Sequence, residues 1–345
     1  MQIDKIKEYL KGYDGEQCTI MEVCGTHTAA ISENGIPNML SDKIKLISGP
    51  GCPVCVTVAS YIDKLIELSM LPDTTVVTFG DMIRVRGTEK SLRDVTAMGA
   101  SVKMIYSPFD IIELAKSNIG HNFIFAAVGF ETTTPIYALI VDELIKNKIK
   151  NVKLLTALKT MPEAIMAVAK DNDKITGFLA PGHVSVITGY NLFCDMAKKL
   201  QIPFVVSGFS GQELLSSIYA LTKLKGGQSL NMYTSVVTNE GNIKAQETVS
   251  KYFKPCDGAW RGMGIIKNSG MILKDEYKDF DAGSESLTSD SMYNSACSCG
   301  DVIAGKINPN NCPLYGKVCT PENPQGACMV STEGSCFHYY MNKRL

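Results

Sequence analysis

The sequence has no excess of charge of either sign, no long apolar run and few aromatic residues. Its 345 residues carry a formal net charge of −1, and aromatic side chains make up 8% of them. A basic stripe with interleaved aromatic residues, which nucleic-acid-binding surfaces use, is therefore not expected. No run approaches the roughly 18 apolar residues that a transmembrane helix needs. Residues 1–10 are charged and amphipathic, without the apolar core of a signal peptide, so we expect a cytoplasmic protein.

Cysteine is abundant, with 12 residues in a chain that is otherwise typical of a soluble globular protein. In a reducing compartment, clustered cysteines indicate metal or redox chemistry more often than structural disulfides. Three scattered ones, Cys18, Cys194 and Cys256, are expected to be small buried side chains. Three more lie near the N-terminus, and six crowd the C-terminal tail: Cys297, Cys299, Cys312, Cys319, Cys328 and Cys336.

Apolar runs that alternate with helical patterns predict an α/β fold with parallel sheets. Among the predicted elements are a strand over 122–128, a helix over 230–249 and a strand over 260–266. The segments Val23–Ile31 and Val128–Ile136 share one rhythm, a strand followed by a Thr-rich polar loop and a helix. This similarity predicts two similar parallel-sheet α/β domains. The Cys-rich tail has few periodic apolar residues, which predicts a small Cys-rich iron–sulfur domain beside them. The predicted boundaries are 18–118 for the first α/β domain, 119–251 for the second, and 1–17 with 252–345 for the iron–sulfur domain.

The stretch Gly49-Pro-Gly-Cys-Pro-Val-Cys55 follows a short apolar strand and contains a C-x-x-C pair, Cys52 and Cys55. We expect a helix to begin at this pair, because apolar residues recur at helical intervals after it. A helix start would lower the thiol pKa and favour thiolate. Such a pair can close a disulfide, bind a metal or exchange two electrons, and the absence of a second metal-spaced pair nearby disfavours a zinc half-site.

The spacing of the tail cysteines is wide and uneven, which suits an iron–sulfur cluster better than zinc or redox-active disulfides. Gly follows Cys299 and Pro follows Cys312, which frees the backbone around them. We therefore predict Cys299, Cys312, Cys319 and Cys336 as the ligands of a [4Fe-4S] cluster, although spacing alone leaves Cys297 and Cys328 as alternatives.

Polar residues follow three other predicted strands. Cys24 and His27 form a C-x-x-H motif after the first, in which the thiolate is a soft iron donor and the imidazole can ligate, hydrogen-bond or move a proton. Both can equally be ordinary buried side chains. Glu131, Thr132 and Thr133 follow a second strand, and Pro181-Gly182-His183 a third. These can line a ligand cleft at the carboxyl ends of the strands, or Thr and Glu can simply cap a helix.

Five segments together resemble the HypD family of [NiFe]-hydrogenase maturation proteins. They are Cys24-Gly-Thr-His-Thr28, Gly49–Cys55, Gly129-Phe-Glu-Thr-Thr133, Pro181-Gly-His-Val-Ser185 and the tail from Cys312 to Cys336. The resemblance covers almost the whole chain. One departure is Thr28, where the family more often has Glu.

The resemblance implies a scaffold on which the hydrogenase iron centre, carrying cyanide and carbon monoxide, is assembled. The implied partners are HypC, which shares the iron, and HypE, which delivers cyanide as a thiocyanate on its terminal Cys. It also implies a [4Fe-4S] cluster in the tail, and it makes Cys24 the expected transient iron ligand.

Removing cyanide from a thiocyanate requires two electrons, which a Cys52/Cys55 dithiol can supply as it becomes a disulfide. We expect the cluster to supply the electrons that reduce the disulfide to the dithiol again. The alternatives are a stand-alone thiol–disulfide oxidoreductase, which leaves Cys24 and the tail unused, and a binding module with a zinc-stapled tail.

Overall fold

The structure of the protein is a computed structural model that describes residues 3–291 and 293–342. It confirms the predicted α/β class, with two sheets that are mostly parallel. The strands are β1 (Cys18–Glu22), β2 (Ile44–Ser48), β3 (Thr74–Thr78), β4 (Val102–Met104), β5 (Asn122–Gly129), β6 (Val152–Lys159), β7 (Gly177–Pro181), β8 (Phe204–Ser207), β9 (Ser229–Asn231), β10 (Phe253–Trp260) and β11 (Gly264–Leu273).

Helices connect these strands and cover their faces. They are α1 (Ile3–Lys11), α2 (Gly25–Glu33), α3 (Ala59–Ser69), α4 (Gly80–Ile83), α5 (Leu92–Thr96), α6 (Asp110–Ser117), α7 (Thr134–Lys146), α8 (Met161–Asp171), α9 (Gly182–Thr188), α10 (Tyr190–Leu200), α11 (Gly211–Leu221), α12 (Ile243–Tyr252), α13 (Cys299–Ile303), α14 (Ala327–Val330) and α15 (Ser335–Asn342). Short 3-10 helices occupy Ile36–Met39, Asp275–Phe280 and Pro309–Asn311. In these ranges every helix is too short or too polar to cross a membrane.

The first sheet has the strand order β2-β1-β7-β8-β9, and all of its neighbouring strands are parallel. The second has the order β10-β11-β6-β5-β3-β4, in which the β10–β11 hairpin is antiparallel and the other four strands are parallel to one another. Parallel strands need crossover connections, which accounts for the helix after nearly every strand.

The strands of the two sheets interleave along the chain. Residues 18–48 pair with residues 177–231 in the first sheet, and the strands between them belong to the second. Strand pairing therefore crosses the predicted boundary at residues 118 and 119. The two segments with the same predicted pattern occupy similar places in the fold. Val23–Ile31 lies at the end of β1 in the first sheet, and Val128–Ile136 lies at the end of β5 in the second.

Three local predictions differ from the structure. The helix expected at Cys55 begins at Ala59, because residues 53–56 form turns in which the Thr57 hydroxyl donates to the Pro53 carbonyl over 2.9 Å. The helix expected over 230–249 starts only at Ile243, after strand β9 and a turn. The strand predicted over 260–266 is interrupted by the turn of the β10–β11 hairpin at 261–263, because Trp260 ends β10 and residues 264–266 begin β11.

The hydrophobic core has several parts, and one of them includes the cysteine tail. On one face of the first sheet, Met21, Val23 and Phe178 pack in the same cluster as Cys52 and Cys55. That cluster also contains all six tail cysteines, which are 2–8% exposed. The tail has little regular structure of its own and is buried against the sheet.

Candidate functional site

Cys24 lies where β1 ends and α2 begins. Its backbone is extended, and its side chain is buried under the helix start. The backbone N–H groups of Thr26 and His27 point at its sulfur and favour thiolate, whereas burial opposes it and raises the pKa of Cys24 to about 12. Since burial dominates, Cys24 is a protonated thiol at neutral pH. A metal that binds there must displace the proton.

The Cys24 loop contacts the Gly49–Cys55 loop directly. The Gly25 N–H donates to the Gly51 carbonyl over 3.0 Å. A Cβ placed on Gly51 would lie 2.3 Å from the Cys24 nitrogen, so only glycine permits this approach. The two predicted motifs, on the adjacent strands β1 and β2, therefore meet at the carboxyl edge of the first sheet.

Cys52 and Cys55 are joined by a disulfide and are both buried. The Cys55 sulfur lies 4.0 Å from the Ala327 carbonyl oxygen, at the first residue of α14, the helix that also carries Cys328. A cavity of about 10 Å³ lies beside the pair, and its wall includes Gly25, Cys328 and Glu333. It has room for about one water molecule. Cys24 adjoins this cavity through Gly25 rather than lining it.

Four of the six tail cysteines form a continuous group of thiols. Cys299 hydrogen-bonds with Cys297 and Cys328, and Cys328 hydrogen-bonds with Cys336. The bond from Cys299 raises the pKa of Cys297, and burial raises it further. Of the predicted ligands, Cys299 and Cys336 belong to this hydrogen-bonded chain of thiols.

The other two predicted ligands, Cys312 and Cys319, are buried in the same core. The chemistry of the donor set fits a cluster, because thiolates are its usual ligands. A Cβ on Gly326 would lie 2.7 Å from the Cys297 sulfur, so glycine lets the backbone approach this thiol closely. In the described ranges, no three His, Cys, Asp or Glu side chains converge to hold a single metal ion. An iron–sulfur cluster has less demanding requirements, because its thiolates bind different iron atoms.

His27 is fully buried, and burial lowers its pKa to about 4. Its Nε2 lies 3.1 Å from the Gly208 carbonyl oxygen and 3.3 Å from that of Ser207, so Nε2 carries the proton and donates. Nδ1 is then an unprotonated acceptor, and it is buried with no hydrogen-bond partner among the described residues. The imidazole is neutral, anchored by one nitrogen and free at the other.

His27 and His183 both contact the ring of Phe209. The ring centroids are 4.7 Å apart for His27 and 4.0 Å apart for His183, which stacks on Phe209 with an interplanar angle of 25°. Pro181 ends β7 and Gly182 begins α9, where a Cβ would lie 2.4 Å from the Ser207 carbonyl oxygen. The motifs of β1 and β7 are thus brought together at one edge of the first sheet.

Glu131 belongs to the carboxyl edge of the second sheet. Its Oε1 accepts from the Met161 N–H over 2.8 Å, at the start of α8, and its Oε2 is buried with no hydrogen-bond partner in the described chain. Burial raises the pKa of Glu131 to about 7. The capping alternative is wrong for Thr133 at the N-cap of α7, which makes no side-chain cap bond, but Glu131 does bind the first N–H of α8. The Thr132 hydroxyl lies 3.5 Å from the Thr133 hydroxyl.

Two acidic residues that the sequence reasoning missed adjoin the Cys24 loop. Glu22 is buried, and its carboxylate accepts from the Cys24 N–H over 3.0 Å and from the Thr28 hydroxyl over 2.5 Å. Burial raises the pKa of Glu22 to about 7. Glu333 packs on Gly25, and burial raises its pKa as well. An acidic residue inside an apolar strand, two positions before a motif cysteine, was the available signal for Glu22.

Thr28 lies in the walls of two cavities. One is the small cavity beside Cys52 and Cys55, and the other has a volume of about 380 Å³ and is also lined by Glu22 and His338. The Thr28 hydroxyl donates to Glu22, which also lines the larger cavity.

The sequence model of the family described as "HypD: Hydrogenase formation hypA family" matches residues 1–343. The chain is 37% identical over 340 residues to hydrogenase maturation factor HypD1 of Bradyrhizobium diazoefficiens, covering 94% of this chain and 89% of the relative. It is 36% identical over 334 residues to hydrogenase maturation factor HypD of Escherichia coli K12, with the same coverage. The HypD of Azotobacter vinelandii is 36% identical over 337 residues, again covering 94% and 89%. The chain belongs to the HypD family of hydrogenase maturation factors.

Proposed function

We propose that the protein is a cytoplasmic scaffold on which the Fe(CN)2CO centre of [NiFe]-hydrogenase is assembled together with HypC and HypE. The proposal rests on one observation: the Cys24 loop, the Cys52–Cys55 loop and the tail helix that holds Cys328 lie next to one another. The Cys24 loop is hydrogen-bonded to the Cys52–Cys55 loop, and Cys55 contacts the helix that holds Cys328. One continuous path of short contacts thus joins the predicted iron ligand, the disulfide and the tail.

In this proposal Cys24 is the protein's donor to the incoming iron, because a thiolate is a soft ligand suited to low-spin iron. Its proton must leave on binding. Glu22 is placed to help, since its carboxyl has a pKa of about 7 and contacts the Cys24 backbone, so it can take up or release a proton near neutral pH. His27 orients the α2 start through its bonds to β8.

The cyanide step needs two electrons. The Cys52/Cys55 dithiol gives up two electrons and two protons and becomes the disulfide, and the thiocyanate carbon–sulfur bond breaks to leave cyanide and the partner's thiolate. Cys299, Cys312, Cys319 and Cys336 would hold the [4Fe-4S] cluster, with Cys297 and Cys328 as the alternatives. A bound cluster would supply electrons one at a time to restore the dithiol.

The burial of the disulfide counts against the alternative of a stand-alone oxidoreductase. Cys52 is 5% exposed and Cys55 is 1% exposed. A pair that acts on varied protein disulfides must be accessible to attack. Access here requires the small cavity to open, and we expect the binding of HypC and HypE to open it.

The test is anaerobic co-purification with HypC, followed by infrared spectroscopy for cyanide and carbonyl bands and by iron analysis. The bands are expected in the wild type and in Cys194→Ser, a control thiol outside the site. Cys24→Ser is expected to lose them, whereas Cys55→Ser is expected to keep tail iron and lose cyanide. Cyanide-bearing iron in Cys24→Ser, or in Cys55→Ser, contradicts the proposal.

A further inference from the structure

A third cavity, of about 170 Å³, shares no lining residue with the one beside Cys52 and Cys55. It lies against β6, β11 and β10, which are neighbours in the second sheet, and is bordered by segment 284–288. Its wall includes a lysine and a cysteine, Lys159 and Cys256, that the proposed function does not use.

The strand register explains this arrangement. Lys159 of β6 pairs with Gly270 of β11, and Gly270 pairs with Cys256 of β10. Paired residues on neighbouring strands point to the same face, so the lysine and the cysteine flank a residue without a side chain. A Cβ on Gly270 would lie 2.9 Å from the Cys256 sulfur, so the thiol leans over the glycine, which itself lines the cavity.

Lys159 is 6% exposed, and no described residue forms a hydrogen bond or an ion pair with its ammonium. Burial lowers the pKa of Lys159 to about 8, so the amine is still mostly cationic at neutral pH. A buried cation is unfavourable unless an anion accompanies it.

Two carboxylates also border the cavity, Asp257 and Glu285. Both belong to exposed residues, where water and salt weaken their field, and Asp257 already accepts from the Asn268 N–H over 3.1 Å. Ser286 and Thr288 also line the cavity, and their hydroxyl groups can donate to an oxygen.

We propose that this cavity is a binding site for a small singly charged oxyanion, such as a carboxylate or bicarbonate, held by the Lys159 ammonium with the Cys256 thiol beside it. The single ammonium group favours a ligand with one negative charge, and the cavity volume limits the ligand to a small molecule. The ammonium and hydroxyl donors favour a ligand whose acceptor atoms are oxygens. Cys256 is half-buried in this wall, which corrects the expectation of a plain buried side chain.

The thiol provides the test, because it can be alkylated by an anionic or a neutral reagent of similar shape. We expect the ratio of the alkylation rate with iodoacetate to the rate with iodoacetamide to be several-fold higher at Cys256 than at Cys194. Peptide mass spectrometry measures the labelling at each cysteine. Cys194 is the matched control, since it is also half-buried and has an exposed lysine, Lys198, nearby. Sodium acetate or bicarbonate should slow the reaction of iodoacetamide at Cys256 only.

The variants Lys159→Met and Lys159→Arg separate charge from shape. The iodoacetate preference should disappear in the first and persist in the second. A second measurement needs no reaction at the thiol: acetate should raise the unfolding midpoint of the wild type above that in chloride at equal ionic strength, by ligand linkage. The proposal is overturned if the wild type shows neither the reagent preference nor the acetate-dependent stabilisation, and that result requires no variant to fold.

Discussion

The Gly25 N–H donates a hydrogen bond to the Gly51 carbonyl over 3.0 Å, and this contact joins the cysteine loops of β1 and β2. Gly51→Ala would place a methyl group 2.3 Å from the Cys24 nitrogen. We expect a loss of about 1–3 kcal/mol in the free energy of unfolding, the usual cost of overpacking, because backbone must move to make room. Hydrogenase maturation should fall as well. Urea unfolding and a maturation assay in the same strain measure both effects.

Gly120→Ala is the matched control, since a Cβ on Gly120 meets nothing within 4 Å. It should leave stability unchanged or raise it slightly, by restricting the unfolded chain. Equal stability and equal maturation in the two variants would show that the close approach of the loops is unimportant.

Glu131 makes stability depend on pH in a defined direction. Burial raises its pKa from 4.5 to about 7 in the folded protein. Between these pH values the carboxyl is neutral when folded and charged when unfolded, so its contribution to stability falls as pH rises and is fully lost above about pH 7. Glu131→Gln keeps an oxygen for the Met161 N–H and removes this loss, which is worth up to about 3 kcal/mol.

The Gln variant should therefore gain more stability over the wild type at pH 8 than at pH 5, as measured by urea unfolding at both pH values. Glu89→Gln, at an exposed loop position, is the control. Its stability should differ from that of the wild type by the same small amount at pH 5 and at pH 8. A Glu131→Gln difference that is independent of pH would mean that the carboxyl is charged in the fold.

The tail ligands can be distinguished by single substitutions. If Cys312 is a cluster ligand, Cys312→Ala should lose most of the iron and sulfide of anaerobically purified protein, because a cluster rarely tolerates a missing thiolate. Cys297→Ala should retain them, and Cys194→Ala controls for the loss of any thiol. The opposite pattern, with iron lost in Cys297→Ala and kept in Cys312→Ala, would assign the cluster to the hydrogen-bonded chain of Cys297, Cys299, Cys328 and Cys336.

Most of the fold was predictable because its strands are short apolar runs that end at Gly or Pro. β5, Asn122–Gly129, is an example: the strand was predicted from its apolar residues alone. The segment after residue 230 was not predictable in this way. There the Asn231 side chain accepts from the Tyr233 N–H and donates to the Val237 carbonyl, which fixes a turn where apolar spacing indicated a helix.

Site residues were predictable where several reactive side chains occur together in one motif. They were less predictable where the role of a side chain depends on its burial in the fold. The sequence pointed to Cys24 and to the Cys52/Cys55 pair, and the structure puts their loops in contact. Glu22 was missed because a single carboxylate in an apolar strand becomes informative only when its burial is known. The pairing of residues 18–48 with 177–231 was also beyond prediction, since parallel strands can be neighbours at any sequence separation.

That pairing has a consequence for how the protein is made. The Thr19 N–H bonds to the Thr176 hydroxyl, 157 residues later, and β1 has β7 as its neighbour on one side. During synthesis at the ribosome, the Cys24 loop therefore emerges long before the strands that complete its sheet. Closing so long a loop is slow, and the unpaired edge of β1 stays open to aggregation until then. The Cys24 thiol is thus synthesised well before the strand β7 that completes the sheet around it.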